Sequence, residues 1–227
     1  MPAEISVIVP TLNAQAALPG CLSALIEGLP AGLIRELIVT DGGSTDDTCE
    51  IARAVGAVIV TGPPSRGGQL RRGAKMARGR WLLVLHADTE LEPGWARAVA
   101  DHLRDGQGRS AYFQLAFRAR GVMPAWFAGW ANLRSSLFGL PYGDQGLLMR
   151  RVAYDRAGGY PDQPLMEDVA LVRTLHRPLA GLPVRALTSA ERYRRAGWIR
   201  RGARNLWTLA RYFSGADPAV LAAAYRR

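Results

Sequence analysis

Residues 81–88 read Trp-Leu-Leu-Val-Leu-His-Ala-Asp, an uninterrupted apolar run followed directly by polar side chains. Such a run is typical of a strand that is buried on both faces of a parallel sheet. We therefore expect Asp88 at the end of a central strand, where a carboxylate is costly to bury without a positive partner. A divalent ion is a natural partner, although Asp88 and Thr89 would also serve to cap the following turn.

The segments around this run alternate between β-branched runs and helical patterns as far as residue 104. Besides Trp81–Leu85, strands are predicted at Ile5–Val9, Glu36–Thr40 and Ala57–Val60. Helices are predicted over 14–28, from a cap at Ser44 or Thr45 to Gly56, over 69–78 and over 94–104. This alternation indicates right-handed βαβ units on a mostly parallel sheet flanked by helices, so residues 1–104 are predicted to form an α/β nucleotide-binding half.

Polar segments follow three of these strands at the point where each strand ends. They are Pro10-Thr-Leu-Asn13, Asp41-Gly-Gly-Ser-Thr-Asp46 and His86-Ala-Asp88. A single aspartate after a strand is more often a helix cap or a turn residue. In open parallel sheets, however, ligands bind beyond the carboxyl ends of the strands, so the three segments together predict one binding crevice.

Alternation is less regular in the second half of the chain. Strands are predicted at Ser110–Arg118 and Gly146–Arg150, and helices at Pro124–Leu137, from Glu167 onward and at Trp198–Phe213. We predict one domain over residues 1–227, in which 105–190 form the acceptor-side half and 191–227 a basic helical tail.

Composition limits the class of protein. The chain has 227 residues, 48% of them hydrophobic, which excludes a mainly disordered protein, and its two cysteines are too few for a disulfide framework. No signal-like or membrane-spanning run is evident, so we expect a cytoplasmic protein or one that lies against the inner face of a membrane.

The net charge of +10 is concentrated in residues 176–227, which contain 11 arginines and two acidic residues. Such a tail suits a phosphate-rich ligand, an anionic membrane or nucleic acid, although a general preference for arginine over lysine would also raise the count.

Five motifs in order give the chain a resemblance to a known family. Residues 10–13, 41–48 and 86–88 resemble the nucleotide-binding half of the family-2 glycosyltransferases, and Gly143-Asp-Gln-Gly146 and Glu167-Asp168 resemble its acceptor-side motifs. The chain is most similar to a compact bacterial subgroup known as radical-SAM/selenodomain-associated transferases. The resemblance implies a GT-A fold, a nucleotide-diphospho-sugar donor, a divalent metal (Mn²⁺ or Mg²⁺) and inversion at the anomeric carbon.

The resemblance also implies roles for residues of the first half. Those expected at the nucleotide-sugar are Pro10, Thr11 and Asn13, Asp41 as partner of the base, and Ala87 with Asp88, where Asp88 binds the metal. His86 and Ala14 depart from the family pattern, which commonly has Asp and Glu there. Arg66-Gly-Gly-Gln69 opens a helix whose N–H groups favour anions, so Arg66 and Gln69 are placed near the donor phosphate or ribose, against the alternative of a solvated turn.

Asp168 is the expected general base, because an acceptor hydroxyl is a poor nucleophile until a nearby carboxylate can take its proton. Glu167 points elsewhere on the helix and is grouped with Gly143, Asp144 and Gln145 as contacts of acceptor or sugar. Two simpler interpretations stay open. Glu167-Asp168 would also suit a helix N-terminus, and Gly143–Gly146 a turn into the next strand.

The basic tail has two predicted features. Arg192, Arg194, Arg195 and Trp198 are candidates for a clamp on the diphosphate, or else members of a solvated face. In the helix after Ile199, an apolar stripe of Ala203, Leu206, Trp207, Ala210 and Phe213 lies apart from Arg200, Arg204 and Arg211. The favoured interpretation packs the stripe against the domain with the arginines in water. The alternative is docking on a membrane surface, near a lipid-linked acceptor.

The predicted function is therefore a metal-dependent inverting glycosyltransferase that uses a nucleotide-diphospho-sugar, in our expectation a UDP-sugar. A nucleotidyltransferase of similar fold is one alternative, but the chain has no glycine-rich basic loop after its first strand. A nucleic-acid-binding module that uses the basic tail is another, and we expect no nucleic-acid partner. Sugar, acceptor and linkage depend on loop contacts that the sequence pattern does not resolve.

Overall fold

The computed structural model describes residues 4–176 and 178–226. The strands within these residues are β1 (Ile5–Thr11), β2 (Ile34–Asp41), β3 (Val58–Thr61), β4 (Trp81–Val84), β5 (Glu90–Leu91), β6 (Ala111–Phe117), β7 (Leu147–Arg150) and β8 (Ala180–Thr188). The helices are α1 (Leu18–Leu25), α2 (Thr48–Ala54), α3 (Arg66–Met76), α4 (Trp95–Asp105), α5 (Val122–Phe138), α6 (Arg151–Arg156), α7 (Glu167–Thr174), α8 (Glu191–Ala196), α9 (Trp198–Phe213) and α10 (Pro218–Arg226). The predicted strands and helices are all present, with ends that differ by a few residues.

The eight strands form one sheet in the order β3-β2-β1-β4-β7-β6-β8-β5. β1 pairs in parallel with β2 and β4, β2 with β3, and β6 with β8, whereas β7 runs antiparallel to both β4 and β6. The short β5 pairs antiparallel with β8 and so brings a segment of the first half to the far edge of the sheet. The sheet is mostly parallel and flanked by helices, as predicted.

Apolar side chains explain why both faces of the sheet are covered. The inner strands are continuous apolar runs, and every residue of β4 is buried. On one face, α1 and α4 pack through residues such as Leu18, Cys21 and Trp95. On the other, α3 and α7 contribute Leu70 and Leu171. The helices cover the two faces of the sheet but not its edge at the strand ends, so polar residues can occupy that edge.

Gly73 shows how closely α3 approaches the sheet. A Cβ atom at this position would lie 2.6 Å from Ile8 Cγ2 and 2.8 Å from Thr40 Cγ2. Only glycine therefore lets α3 pack directly on β1 and β2, and this packing fixes the position of the helix start at Arg66.

Some local predictions are wrong. Neither Ser44 nor Thr45 caps α2, which begins at Thr48 after Asp47, because the Ser44 hydroxyl donates to Asp41 instead. β8 was not predicted, since Pro183 and Gly181 break its alternation, and the register against β6 shifts at this point, as expected where proline enters a sheet. Strand β5 and helices α6, α8 and α10 were not predicted either; β5 has only two residues, and α6 and α8 have six each.

The favoured interpretation of the basic helix is also wrong. α9 has the predicted bounds, but Ile199, Leu206, Trp207 and Phe213 of its apolar stripe are exposed. The helix packs on the domain through its other face, where Thr208 is buried. No helix in the part of the chain that the structure describes is both long and apolar enough to cross a membrane.

Candidate active site

An open cleft of about 860 Å³, partly in contact with solvent, lies beyond the carboxyl end of β4. Its walls come from the loop after β4, the start of α3, the 3-10 turn Gly143–Gln145, the start of α7 and the tail helices α8, α9 and α10. The polar side chains that line it include Arg66, His86, Asp88, Asp144, Asp168, Arg192, Arg201, Asn205 and Tyr225. Residues from distant parts of the sequence thus line one cavity, which we call the acidic cavity and which also contains basic side chains.

Asp168 is fixed in this cavity by backbone hydrogen bonds. The Gly143 N–H donates to Asp168 Oδ2 at 2.6 Å, and the Val169 N–H donates to Oδ1 at 2.8 Å. Each carboxylate oxygen has two lone-pair sites, so both oxygens keep one free for a ligand. Gly143 must be glycine, since a Cβ there would collide with the His86 ring.

Met166 sets the direction in which α7 begins. Its φ of 64° is left-handed, which is uncommon and costly for a residue with a side chain. The chain turns sharply at this point, so that Glu167 is buried below the cavity while Asp168 faces into it. The carboxylates of these two neighbouring residues therefore differ in their environment, since Glu167 is buried and Asp168 is open to the cavity.

Glu167 is a buried carboxylate with incomplete hydrogen bonding. It is 1% exposed, Arg66 Nε lies 3.7 Å from its Oε1, and its Oε2 has no hydrogen-bond partner. Burial, with a smaller contribution from the charge of Asp168, raises the pKa of Glu167 from 4.5 to about 7.

Asp144 is a half-buried carboxylate in the 3-10 turn that contacts Asp168 through the Gly143 N–H. Its Oδ1 is buried without a hydrogen-bond partner, and burial raises its pKa from 3.8 to about 6. The neighbouring charges of Asp168 and Asp88 also raise it, whereas Arg134 opposes the shift. An unpaired buried oxygen beside further carboxylates favours a positively charged ligand.

Arg66 contacts both the Glu167 carboxylate and the His86 ring. Arg66 is the first residue of α3, and its Nη2 lies 3.4 Å from His86 Nδ1. Burial lowers the pKa of His86 well below its ordinary value, and the charges of Arg66 and Arg192 lower it further. A neutral His86 accepts from Arg66 at Nδ1 and carries its hydrogen on Nε2.

The tail helices close one side of the cavity with residues that sequence reasoning did not select. The Tyr225 hydroxyl donates to Asn205 Oδ1 at 2.8 Å and accepts from Arg201 Nη2 at 2.5 Å. Tyr193 OH in turn accepts from Asn205 Nδ2 at 3.0 Å. Arg201 and Asn205 stand four residues apart on the α9 face opposite the apolar stripe, and this spacing was the one available signal for them.

Several predicted contact residues lie elsewhere. Gln145 is fully buried, and its amide is held by the Ser135 hydroxyl and the Phe113 carbonyl, so it does not line the cavity. Trp198 belongs to an aromatic cluster with Phe117 and Tyr193. The three predicted clamp arginines are all exposed. Arg192 lines the cavity, Arg194 does not, and Arg195 is paired with Glu191.

The residues predicted at the base form a second polar group, which we call the β1–β2 rim (residues 10–15 and 41–48). Asp41 is buried at its centre and accepts four hydrogen bonds, from the Thr11 hydroxyl (3.0 Å), the Gly43 N–H (2.8 Å), and the Ser44 N–H (2.7 Å) and hydroxyl (2.5 Å). Burial acts to raise the pKa of Asp41, but these bonds outweigh it and hold the pKa below 3.8.

Other members of the β1–β2 rim also bond to one another. Asn13 has a left-handed φ of 49°, and its Oδ1 accepts from the Thr45 N–H at 2.9 Å. Gln69 is buried below the rim, where its amide donates to the carbonyls of Thr11 and Thr40 and so ties β1 to β2. Pro10 is half-buried near the end of β1, and Ala87 is half-buried in the loop after β4. None of these residues lines the acidic cavity.

The donor set in the cavity fits a divalent cation held jointly with a ligand. Within residues 4–176 and 178–226, no group of three or more His, Cys, Asp or Glu side chains forms a complete metal site. Asp88 and Asp144 nevertheless line the same cavity, and Asp144 Oδ1 lacks a partner. Mg²⁺ and similar ions take one or two carboxylates together with substrate phosphates and water, so this pair meets the requirement.

The fold is shared with solved structures of the GT-A class. The chain matches S. aureus TarS 1–349 in complex with UDP at a TM-score of 0.64 and 18% identity, over 84% of this chain and 62% of that one. It also matches M. tuberculosis glucosyl-3-phosphoglycerate synthase in complex with Mn²⁺, UDP and phosphoglyceric acid at a TM-score of 0.51 and 26% identity, over 68% and 58%. The predicted GT-A fold is confirmed.

The amino-acid sequence shows which family the chain belongs to. The profile of glycosyl transferase family 2 matches residues 6–146, more than half of the chain, and the chain belongs to that family. It is similar to the PGL/p-HBAD biosynthesis glycosyltransferase of Mycobacterium bovis (strain BCG / Pasteur 1173P2), with 38% identity over 93 residues, 38% of this chain and 36% of the relative. An uncharacterized glycosyltransferase of Mycobacterium tuberculosis (strain ATCC 25618 / H37Rv) is 34% identical over 91 residues, 40% and 39% of the two chains. These matches span little more than a third of either relative. The radical-SAM-associated subgroup stays a prediction.

Proposed function

We propose that this chain transfers a sugar from a nucleotide-diphospho-sugar, preferably a UDP-sugar, to an acceptor hydroxyl with inversion at the anomeric carbon. The observation that carries the proposal is the convergence of Asp88, Asp144 and Asp168 with Arg66 in one cavity beyond the carboxyl end of β4. The complexes of the solved relatives with UDP support the choice of nucleotide.

Asp88 and Asp144 would hold a divalent ion against the donor. When bound, the ion would neutralise the charge that gathers on the diphosphate as the sugar leaves. Arg66 acts at the same place without a metal. Burial works to lower its pKa, but the nearby carboxylates outweigh burial and raise it, so the guanidinium stays charged and available for phosphate oxygens.

Asp168 is our choice for the general base. It lines the cavity and keeps a free lone-pair site on each oxygen, and the Gly143 N–H fixes its orientation. Glu167 has a raised pKa that would also suit proton transfer, but it is 1% exposed and lies below the cavity beside Arg66. In this scheme Asp168 takes the acceptor proton, and Glu167 positions Arg66.

The β1–β2 rim is proposed to hold the nucleobase and ribose. Asp41 arranges the Gly43 and Ser44 N–H groups around itself and so determines the shape of the loop. The rim lacks the basic glycine-rich phosphate loop that a nucleotidyltransferase would need after its first strand, which favours the transfer of a sugar.

A thermal-shift screen tests this function. UDP, UDP-sugars and GDP-sugars are each added with and without Mn²⁺ to the whole chain. We expect a rise in Tm that needs both a uridine nucleotide and Mn²⁺, because a ligand at 100 times its Kd stabilises the fold by about 2.7 kcal/mol. A Tm that no nucleotide-sugar changes, with or without Mn²⁺, would contradict the proposal.

A further inference from the structure

The apolar stripe of α9 faces outward. Ile199 and Trp207 are 70% and 67% exposed, and Leu206 and Phe213 are about half exposed. Ala203 and Ala210, which lie on the same face of the helix, are exposed as well. A helix that covers a core normally turns such a stripe inward. Here most of the stripe is turned away from the domain, which is unusual for a surface that faces only water. Phe213 is the member that touches it, with the Arg173 guanidinium of α7 5.1 Å from its ring centroid.

Polar residues fasten the opposite face of α9 to the domain. Asn205 bonds to Tyr193, Arg201 bonds to Tyr225, and Thr208 is buried. Arg201 and Asn205 also line the acidic cavity. The orientation of the helix is therefore determined by this polar contact, and the exposure of the stripe is a feature of the packed structure.

Helix α5, which touches α9, also carries exposed apolar residues. The two helices meet where Phe127 of α5 lies against Gly202 of α9, in a contact that leaves no room for a Cβ at Gly202. Trp126 and Trp130, next to this contact on α5, are 61% and 43% exposed. We call six of the exposed apolar residues of α5 and α9 the apolar platform (Trp126, Trp130, Ile199, Leu206, Trp207 and Phe213).

Positive charge borders the apolar platform. Arg200, Arg204 and Arg211 fall together along one edge of the α9 stripe, beside Trp207. The two acidic residues in residues 176–227 are Glu191, which is paired with Arg195, and Asp217, against 11 arginines. A partner for this surface must therefore offer both an apolar region that can bury these side chains and negative charge for the arginines.

We propose that the apolar platform and its arginines dock the protein on an anionic lipid bilayer, with α9 lying in the plane of the interface. Tryptophan and aliphatic side chains enter the headgroup region while arginines contact lipid phosphates, as in interfacial amphipathic helices. A second copy of the chain is a poorer occupant, because it would bring the arginines of both copies together without acidic partners. The proposal does not depend on the reaction. The cavity lies on the other side of α9, so docking would hold it about one helix diameter, roughly 10 Å, from the lipid.

Vesicle co-sedimentation tests the proposal. Purified chain is mixed with vesicles of phosphatidylcholine alone or of phosphatidylcholine with phosphatidylglycerol. We expect binding to the mixed vesicles to be at least about tenfold stronger, and to weaken as salt screens the arginines. An absence of binding to the mixed vesicles would overturn the proposal.

Two variants separate the apolar and charged contributions. Ile199→Ser with Trp207→Ser should lower binding to mixed vesicles at least about tenfold, because two inserted apolar side chains are lost. Arg200→Glu with Arg204→Glu and Arg211→Glu should lower it by at least about 100-fold, from an attraction of roughly fivefold for each arginine. The matched control is Arg53→Glu with Lys75→Glu and Arg97→Glu, which changes the net charge equally at exposed positions on other helices. If this control loses binding as strongly as the α9 triple variant, general charge and not this surface is responsible, and the proposal fails.

Circular dichroism shows that each variant is folded, and light scattering after size exclusion measures its oligomeric state. The proposal predicts a wild-type monomer whose mass the serine variant does not change. A wild-type dimer that the serine variant converts to a monomer would assign the platform to a second copy and overturn membrane docking.

Discussion

Asp41 and Glu167 are both buried carboxylates near the start of α3, yet their hydrogen bonding differs and their pKa values shift in opposite directions. Asp41, in the β1–β2 rim, accepts four hydrogen bonds from nearby donors, and its pKa is held below 3.8. Glu167, below the acidic cavity, has one oxygen without a partner, and its pKa is raised to about 7. In the rim, the protein's own donors satisfy the buried Asp41 carboxylate. At the acidic cavity, buried carboxylate oxygens of Glu167 and Asp144 have no hydrogen-bond donor.

This difference separates residues that shape a site from residues that await a ligand. A satisfied carboxylate stabilises the fold around it, and its removal leaves several donors unpaired. An unsatisfied carboxylate costs free energy of folding, and such a cost persists most often at functional sites. The contrast gives three predictions, in which the expected effect decreases from catalysis to loop stability to pH dependence.

The largest effect is expected for Asp168→Asn. The amide oxygen can still accept from the Gly143 N–H, so the loop should keep its position and donor affinity should be retained. Loss of the base should reduce turnover by about 10²–10⁴ in a transfer assay with saturating donor. Asp155→Asn, an exposed change on α6, is the control. Turnover close to that of the wild type would remove Asp168 from the proposed mechanism.

Asp41→Ala should instead lower stability. Its removal leaves the Thr11 and Ser44 hydroxyls and two N–H groups without their acceptor, for an expected loss of about 3 kcal/mol in the free energy of unfolding. Urea denaturation measures it, with the exposed Asp47→Ala as control, for which a change within about 0.5 kcal/mol is expected. Equal stability of the two variants would show that the rim does not depend on Asp41.

Glu167 should make the fold less stable as the pH rises. Because its pKa rises from 4.5 in the unfolded chain to about 7 in the folded one, the folded state retains a proton that the unfolded state has released between these values. The stabilisation is full below about pH 4.5 and is lost as the pH approaches 7. Asp41 has the opposite sign, since its lowered pKa contributes stability that is lost as the pH falls below 3.8.

Glu167→Gln isolates this contribution. The free energy of unfolding of the wild type should fall between pH 5 and pH 7 by roughly 2 kcal/mol more than that of the variant. Glu50→Gln, at an exposed position on α2, should behave as the wild type. Parallel pH profiles for all three proteins would mean that Glu167 is ionised normally and that the cavity has no excess of carboxylate.

The sequence predicts the strand ends far better than the contacts between them. β1, β2 and β4 are apolar runs that end at polar motifs, so their positions and the crevice beyond them follow from local pattern. The sequence pattern favours a ligand contact for Gln145 and Trp198, because it does not reveal their partners Phe113 and Phe117, which are distant in the sequence.

Helix α9 shows another limit of sequence pattern. Its bounds and its apolar stripe are predicted correctly, yet periodicity does not reveal which face meets the domain. That choice depends on Asn205 and Arg201, whose partners Tyr193 and Tyr225 belong to the short helices α8 and α10. A pattern predicts a helix well, but its orientation depends on tertiary contacts.

Asp88 connects the strand that determines the fold with the proposed chemistry, so calorimetry of UDP binding in the presence and absence of Mn²⁺ tests the account most directly. The wild type should bind UDP at least tenfold more tightly with Mn²⁺, and Asp88→Ala should lose this difference while Asp105→Ala, exposed on α4, retains it. Binding of UDP by Asp88→Ala that keeps the full response to Mn²⁺ would contradict the central claim that this carboxylate holds the cation against the donor.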